Sequence, residues 1–355
     1  LIKSTISSRS IAEKTPVITN VEFVKQSCGP DGNFVMVVST GEVVVVFSVG
    51  IVVCGVGFFG ELNKYETRSC VVCGKRNWKF LLTNPGGFKF SRCINCEMVM
   101  MNPIPSPSYL DKLYNSPEME INLSGSPINE GLIATGGEDL EFITKHIREG
   151  KLLDIGTGGG GFLINARKVF KAEGLDINEK HVEKGNEYGL RIHKGYSSDF
   201  NPTAKYDVIT MLQVIEHLPD PMSVINDAKR LVSGKGYLYI ACPNYSSKSM
   251  RLFKERHRHL STFGHINLYS PETLTQQVEQ CGFKLVHLET YRTDIELHDL
   301  FYYYLRNQKF SHRMANYKPF MRQLSETLSL PLKTIFKRPV KKNEGSYIRA
   351  VFKNQ

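Results

Sequence analysis

The stretch Leu152-Leu153-Asp154-Ile155-Gly156-Thr157-Gly158-Gly159-Gly160-Gly161 decides the architecture. A short apolar run carrying one acid enters a glycine-dense turn, and a helix is expected beyond it to about Phe170. Glycines let backbone pass close to a bound molecule with no Cβ in the way. Working outward, Leu140–Arg148 reads as a helix leading into strand Lys151–Ile155. Downstream come strand Ala172–Ile177, a helix to about Tyr188, strand Tyr206–Leu212, helix Pro221–Val232 and strand Gly236–Ala241. In the Pro221 helix, Val224, Ile225, Ala228, Leu231 and Val232 share one face, the pattern of a helix packed on a sheet. Helix Pro271–Gln280 ends at Gly282, a good C-cap, before strand Phe283–Leu288, and Tyr347–Phe352 is a last strand. Strand–helix alternation of this kind predicts an α/β protein whose mostly parallel sheet is covered on both faces.

In such sheets a ligand sits outside the carboxyl ends of the strands. Asp176 ends the strand after the glycine turn, and a carboxylate there can accept from both hydroxyls of a ribose. Two ligand types remain. Gly156, Gly158 and Gly161 satisfy the dinucleotide spacing G-x-G-x-x-G. Asp154, however, would repel a pyrophosphate and attract the ammonium group of a nucleoside sulfonium, so charge favours S-adenosylmethionine. A third reading gives the turn a packing role only.

The chain has 355 residues, 41% hydrophobic and 23% charged. That suits two or three domains with a sizeable core and excludes a wholly disordered chain, a collagen or a disulfide miniprotein. Lys+Arg 45 against Asp+Glu 35 gives +10. Most of the excess lies between Arg306 and Lys342, where ten basic residues meet one acid, Glu326. Local basicity of this kind says little about the rest of the protein.

Residues 1–69 are the least legible. Val43–Gly60 carries no charge and is long enough to suggest a membrane span. The Val-rich runs Phe34–Val38 and Val43–Phe47 around Ser39-Thr40-Gly41-Glu42 suggest a buried hairpin instead. Residues 70–103 form a compact unit in which Cys70-x-x-Cys73 and Cys93-x-x-Cys96 have the spacing of a tetrahedral four-cysteine zinc site. Such a closed site implies a structural zinc, with a redox pair as the alternative. Paired cysteines of this type, and no signal-peptide pattern at the start, point to a reducing, cytoplasmic setting. The prolines from Pro103 read as a linker through about residue 137, with a short helix at Tyr109–Asn115.

The combination of Asp154-Ile155-Gly156-Thr157-Gly158-Gly159-Gly160 and Asp176 with Tyr206-Asp207-Val208-Ile209 and Glu216-His217-Leu218-Pro219-Asp220-Pro221 resembles class I S-adenosylmethionine-dependent methyltransferases. Within them it is most similar to the branch of the ubiquinone-biosynthesis O-methyltransferases. Pro243-Asn244, His265–Tyr269 and Gly282-Phe283 extend the likeness over about 138–290 and the final strand. Cys70–Cys96 with Asn102-Pro103 and Tyr114 resembles the zinc-ribbon leader of many bacterial members, sugar methyltransferases included. The resemblance implies a Rossmann-like, seven-stranded sheet with an antiparallel last strand, residues 138–355 forming the methyltransferase domain. It implies cofactor contacts at Asp154, Gly156, Thr157, Gly158, Asp176, Ile177, Asp199 and Gln213. In the ubiquinone enzymes an E-x-x-E-H pattern holds a divalent cation. Here Gln213 stands at the first position, leaving Glu216 and His217, and an amide is the weaker ligand for a hard cation. A structural turn is the alternative role for Glu216-His217.

Methyl transfer needs an aligned acceptor and sometimes a base, and histidine suits the latter. His265 is the foremost candidate, then His217, His257 and His259. The segment 296–342 interrupts the sheet before its last strand. Its apolar lines (Leu300, Phe301, Tyr304, Leu305; Leu324, Leu328, Leu332, Phe336) suggest a helical cover over the acceptor pocket. A basic surface at 306–342 touching anionic lipid is the other reading, and no nucleic-acid motif is present. The expected activity is methylation of an oxygen on a small molecule or glycan precursor. The alternatives are a non-catalytic binding protein with a zinc interaction module, and an NAD-dependent oxidoreductase.

Overall fold

The computed structural model describes residues 34–39, 44–49, 65–84, 87–106, 130–261, 264–292 and 343–355. Residues 1–63 and 64–355 form separate compact units. In the first, β1 (Phe34–Ser39) and β2 (Val44–Val49) pair antiparallel, Phe34 opposite Val49 and Ser39 opposite Val44. The rest of the apolar run to Gly60 lies outside the described residues, as do the helix expected at Tyr109–Asn115 and the basic segment 296–342. Among the described residues no helix is long and apolar enough to cross a membrane.

The second unit opens with short antiparallel strands. β3 (Tyr65–Glu66) pairs with β7 (Ile104–Pro105), while β4 (Trp78–Thr83), β5 (Lys89–Cys93) and β6 (Val99–Met101) form consecutive antiparallel partners. The expected linker thus begins as a paired strand. α1 (Glu130–Thr144) likewise starts earlier than the sequence suggests, and precedes β8 (Lys151–Ile155). After the glycine turn, α2 spans only Leu163–Ala166, short of the expected end at Phe170. The chain tightens there instead, with Lys168 N–H donating to Asn165 O and Val169 N–H to Ala166 O, each three residues back. β9 (Lys171–Asp176), α3 (Glu179–Glu187), β10 (Ile192–Lys194), β11 (Tyr206–Leu212), α4 (Pro221–Leu231), β12 (Val232–Pro243) and α5 (Lys248–Phe253) follow. β13 (Asn267–Leu268), α6 (Pro271–Gln280), β14 (Phe283–Tyr291) and β15 (Tyr347–Asn354) complete it.

The main sheet has seven strands in the order β10-β9-β8-β11-β12-β15-β14. β8 through β12 run parallel, and β15 is antiparallel to both its neighbours. This is the Rossmann-like arrangement with a reversed last strand. The chain moves from β8 outward to β10 and then returns to β11 on the other side, so the order reverses between β8 and β11. That point opens a crevice at the carboxyl ends of those strands.

Period-two alternation builds the core. Leu153, Ile155, Ile209, Met211, Leu238, Ile240, Ile348 and Phe352 point into one apolar cluster. Leu152, Val208, Tyr239, Ala241 and Val351, one register step away, point into the opposite cluster with Phe142 and Leu163. Each buried aliphatic or aromatic side chain contributes about 1.5–3 kcal/mol. Cys70, Val72, Cys93, Met98 and Met100 belong to the first cluster too, so the cysteine unit shares its core with the sheet.

The glycine turn is where backbone geometry matters most. Gly156 has φ +71, and a Cβ there would stand 2.6 Å from Val214 Cγ2. Gly158 has φ +56 but faces open space, with nothing within 4 Å of a Cβ. Gly156→Ala is therefore expected to cost about 1–3 kcal/mol, and Gly158→Ala about 1 kcal/mol. Urea denaturation of the two variants measures the difference, and equal losses would contradict this account.

Candidate active site

The strands β8 and β9 carry acids at their carboxyl ends, Asp154 and Asp176, that the fold treats differently. Asp176 holds the glycine turn. Its Oδ2 accepts from Gly158 N–H at 2.7 Å, and its Oδ1 accepts from Asn178 N–H at 2.9 Å, with His181 Nδ1 3.5 Å away. Asp154 lies beneath the turn, 1% exposed, and accepts from Thr210 Oγ1 at 2.6 Å. The two sit opposite each other in the β8–β11 register. Burial raises the Asp154 carboxyl to about 7 against the pull of Thr210. A cation at this spot would restore its charge.

Beyond these acids the crevice has an apolar flank. Ile177 is 55% and Tyr196 61% exposed, both just past the ends of paired strands β9 and β10. Gly195 N–H donates to Asp176 O, which brings the two loops together. Asp199 is exposed and its carboxylate accepts from Ser198 Oγ. Thr157 belongs to the turn, and its N–H, like that of Gly156, donates to Leu175 O. Gln213 is exposed at the end of β11 with φ +58, its N–H donating to Ala241 O.

The second wall is a short 3-10 turn, Ile215–His217, facing the segment that carries His265. The ligand atoms of Glu216, His217 and His265 all lie within 4.8 Å of one another. The rings of His217 and His265 meet edge to face at 4.6 Å. His217 Nδ1 donates to Gly264 O and His265 Nδ1 donates to His259 O, both at 2.9 Å. Since a carbonyl only accepts, the protons sit on Nδ1 and the working nitrogen of each ring is Nε2. Burial lowers His217 to about 4 and His265 to about 3, so both rings are neutral near neutral pH. Glu216 is fully buried, neither carboxylate oxygen has a hydrogen bond, and burial raises it to about 8. From the same wall an aromatic line runs from His265 to His259 (5.5 Å), Tyr347 (5.2 Å) and Tyr291 (5.8 Å). His257 stacks beside His259 and meets Ser249 Oγ at 3.1 Å.

This donor set fits a divalent cation. Two imidazoles anchored through Nδ1 to backbone carbonyls would offer Nε2, and the unsatisfied carboxylate would supply oxygen. His265, absent from the E-x-x-E-H pattern, would stand in for the missing glutamate.

The four cysteines converge as well, with Cys70 Sγ 3.4 Å from Cys96 Sγ and Cys73 Sγ 3.5 Å from Cys93 Sγ. Zn–S bonds of about 2.3 Å in a tetrahedron give edges of about 3.8 Å, so the set fits zinc. Both knuckles make the same turn. Gly74 N–H donates to Cys70 O and Glu97 N–H to Cys93 O, with φ +70 at Gly74 and +66 at Glu97. Burial pushes the Cys70 thiol up to about 11, a cost that binding zinc as thiolate would remove.

Three contributors escaped the sequence reading. Thr210, the partner of Asp154, looks like an ordinary strand residue, and only the strand pairing reveals it. Tyr196 stands directly after Gly195, the only local hint. Arg68 precedes the first cysteine and reaches Asn267 Oδ1 at 2.8 Å.

Part of the chain is similar to known methyltransferases. Residues 134–288 match the family model described as "Methyltransferase domain". A ubiquinone biosynthesis O-methyltransferase of Actinobacillus pleuropneumoniae serotype 7 is 36% identical over 121 residues, covering 29% of this chain and 49% of that protein. One from Nitrosomonas europaea is 30% identical over 112 residues, covering 29% and 48%. The chain spans about half the length of the curated relatives it matches. Among solved structures, a SAM-dependent methyltransferase from Archaeoglobus fulgidus aligns with TM-score 0.43 and 19% identity, over 67% of this chain and 98% of that one.

The raised Glu216 carboxyl sets a pH dependence. The folded protein keeps its proton up to about 8, whereas an ordinary glutamate releases it near 4.5. Stability conferred by the protonated group is complete below 4.5 and is lost as pH rises through about 8. In protein freed of divalent cations, Glu216→Gln is expected to flatten the fall in stability between about pH 5 and about pH 8, by an amount on the order of a few kcal/mol. Urea midpoints at the two pH values measure it, and an unchanged slope would refute the assignment.

Proposed function

We propose that the crevice between β8 and β11 binds S-adenosylmethionine, and that the protein transfers the methyl group to an oxygen of a small molecule, including a glycan precursor. The observation that carries this reading is the open face of Gly158 beside the Asp176 carboxylate, at the strand-order reversal. The match of residues 134–288 to a methyltransferase domain supports it independently.

In this reading Asp176 accepts from the ribose hydroxyls. Ile177 and Tyr196 flank the adenine, and Asp199 accepts from its amino group. Gly156, Thr157, Gly158 and Gln213 line the methionine end, where an ammonium group returns the buried Asp154 to its charged form. When bound, the cofactor supplies an electrophilic methyl on sulfur. The chain's own part is alignment of the acceptor and removal of its proton. His265 Nε2 takes the hydroxyl proton, its ring held by His259 O and backed by His217. The unsatisfied carboxylate oxygens of Glu216 favour a second reading of this wall, in which Glu216, His217 and His265 hold a divalent cation. Such an ion would acidify the acceptor hydroxyl, leaving the three side chains to orient it.

The four cysteines are assigned to a structural zinc. Purification under reductant is expected to yield one zinc per chain by elemental analysis, and zinc-free folded protein would remove the assignment.

Isothermal titration tests the cofactor. S-adenosylhomocysteine should bind, NAD should not, and Asp176→Ala should weaken S-adenosylhomocysteine about tenfold or more. NAD binding in its place would favour the oxidoreductase alternative. An acceptor panel assayed with and without chelator then distinguishes enzyme from binding protein. His265→Ala should lower turnover by about a hundredfold or more while sparing cofactor affinity, and near-normal turnover would discard the base.

A further inference from the structure

The cysteine unit grips the acceptor wall directly. Arg68, two residues before Cys70, sends its guanidinium across to three acceptors. Nη1 donates to Pro219 O at 2.9 Å, while Nη2 donates to Asn267 Oδ1 at 2.8 Å and to Ile266 O at 3.3 Å. Its own backbone is pinned on the ribbon side, where Arg68 N–H donates to Asn102 Oδ1 and Trp78 Nε1 donates to Arg68 O. Asn267, oriented by Arg68, donates through Nδ2 to Leu218 O at 2.7 Å and Ile215 O at 3.4 Å.

The pattern on the turn is systematic. Ile215 O and Leu218 O are held by Asn267, Pro219 O by Arg68, and Glu216 O by Ile266 N–H at 2.9 Å. Ile266 O in turn accepts from Met101 N–H, and β13 pairs with β6. Four carbonyls of the turn, those of Ile215, Glu216, Leu218 and Pro219, are therefore held by Arg68 or by the Ile266–Asn267 segment it grips. A second tie runs from the knuckle itself. Gln277 Nε2 donates to Val71 O, and Tyr269 hydroxyl donates to Gln277 Oε1. The donor crevice receives no such contact from Arg68, since its turn is held by Leu175 O and Asp176.

We propose that Arg68 is a positioning residue, whose three-pronged hold on Pro219, Ile266 and Asn267 brings Glu216 and His217 to face His265. The four-cysteine unit then serves as the anchorage of the acceptor wall. This inference rests on the methyl-transfer reading for the wall's purpose. A guanidinium suits the task because its planar fork serves separate acceptors at once, which an ammonium on a flexible stem cannot.

The test is amide hydrogen exchange by mass spectrometry on the full chain, comparing wild type with Arg68→Ala and Arg68→Lys. Segments 214–219 and 264–268 should exchange about tenfold faster in both variants. Segment 152–178 should be unchanged, S-adenosylhomocysteine affinity should stay within about twofold, and zinc content should match the wild type. Arg68→Lys keeps the charge and most of the stem, so it reports even where Arg68→Ala does not fold. Wild-type protection in Arg68→Lys would overturn the proposal, because a space-filling or general cationic role would then suffice. Faster exchange across 152–178 as well would overturn it too, because the effect would be global. A wild type that fails to bind S-adenosylhomocysteine removes the methyl-transfer reading instead, whatever the exchange pattern.

Discussion

The crevice exists because β8 and β11 lie side by side while their connections depart in opposite directions. Neither connection can then cover the gap between them, and the glycine turn and the Gln213–His217 loop diverge around it. The glycine turn and the Glu216–His217 wall both hang from this divergence. The turn takes its shape from Leu175 O and the Asp176 carboxylate, groups of the next strand, so the ligand-facing backbone is set by the sheet itself. Alternating apolar residues on the two faces keep that sheet rigid.

Burial creates a concentration of titratable groups in unusual states around the opening. Asp154 and Glu216 are raised, and His217 and His265 are lowered, each chiefly by removal from water. Positive charge on the imidazoles and full negative charge on these two carboxyl groups are both disfavoured by the surroundings. A ligand that brings positive charge gains twice, since it meets carboxyl groups ready to ionise and imidazoles with no charge to oppose it. Asp154 is satisfied by Thr210 in the meantime, whereas Glu216 has no equivalent. This difference leaves the Glu216–His217–His265 wall the less complete half of the opening.

Legibility in the sequence followed range. The glycine turn, Asp154 and Asp176 were readable because strand, turn and acid lie close together along the chain and obey short periods. The cysteine pairs were readable because metal spacing is local within each knuckle. The reversed β15 came only through family resemblance. Arg68 was not readable at all, since its partner Asn267 lies 199 positions away and both residue types are ordinary at a surface. The cysteine unit read as a separate module because spacing carries no information about shared burial. In the structure Cys93 and Met98 join the sheet's own core. Helix ends were misjudged where the last turn tightens locally, as at α2, where Lys168 and Val169 N–H reach back only three residues.

β14 and β15 leave a different kind of consequence. Their ends at Tyr291 and Tyr347 are paired, and Ser346 N–H donates to Arg292 O just beyond, so the chain leaves and re-enters the sheet at one stitched point. With its ends already joined, a connection there can lengthen or shrink at an entropic cost that grows only with the logarithm of its size. The seam lies a few rings along from His265, through Tyr347 and His259. Chain length can therefore vary at this position while the sheet and the glycine turn stay untouched.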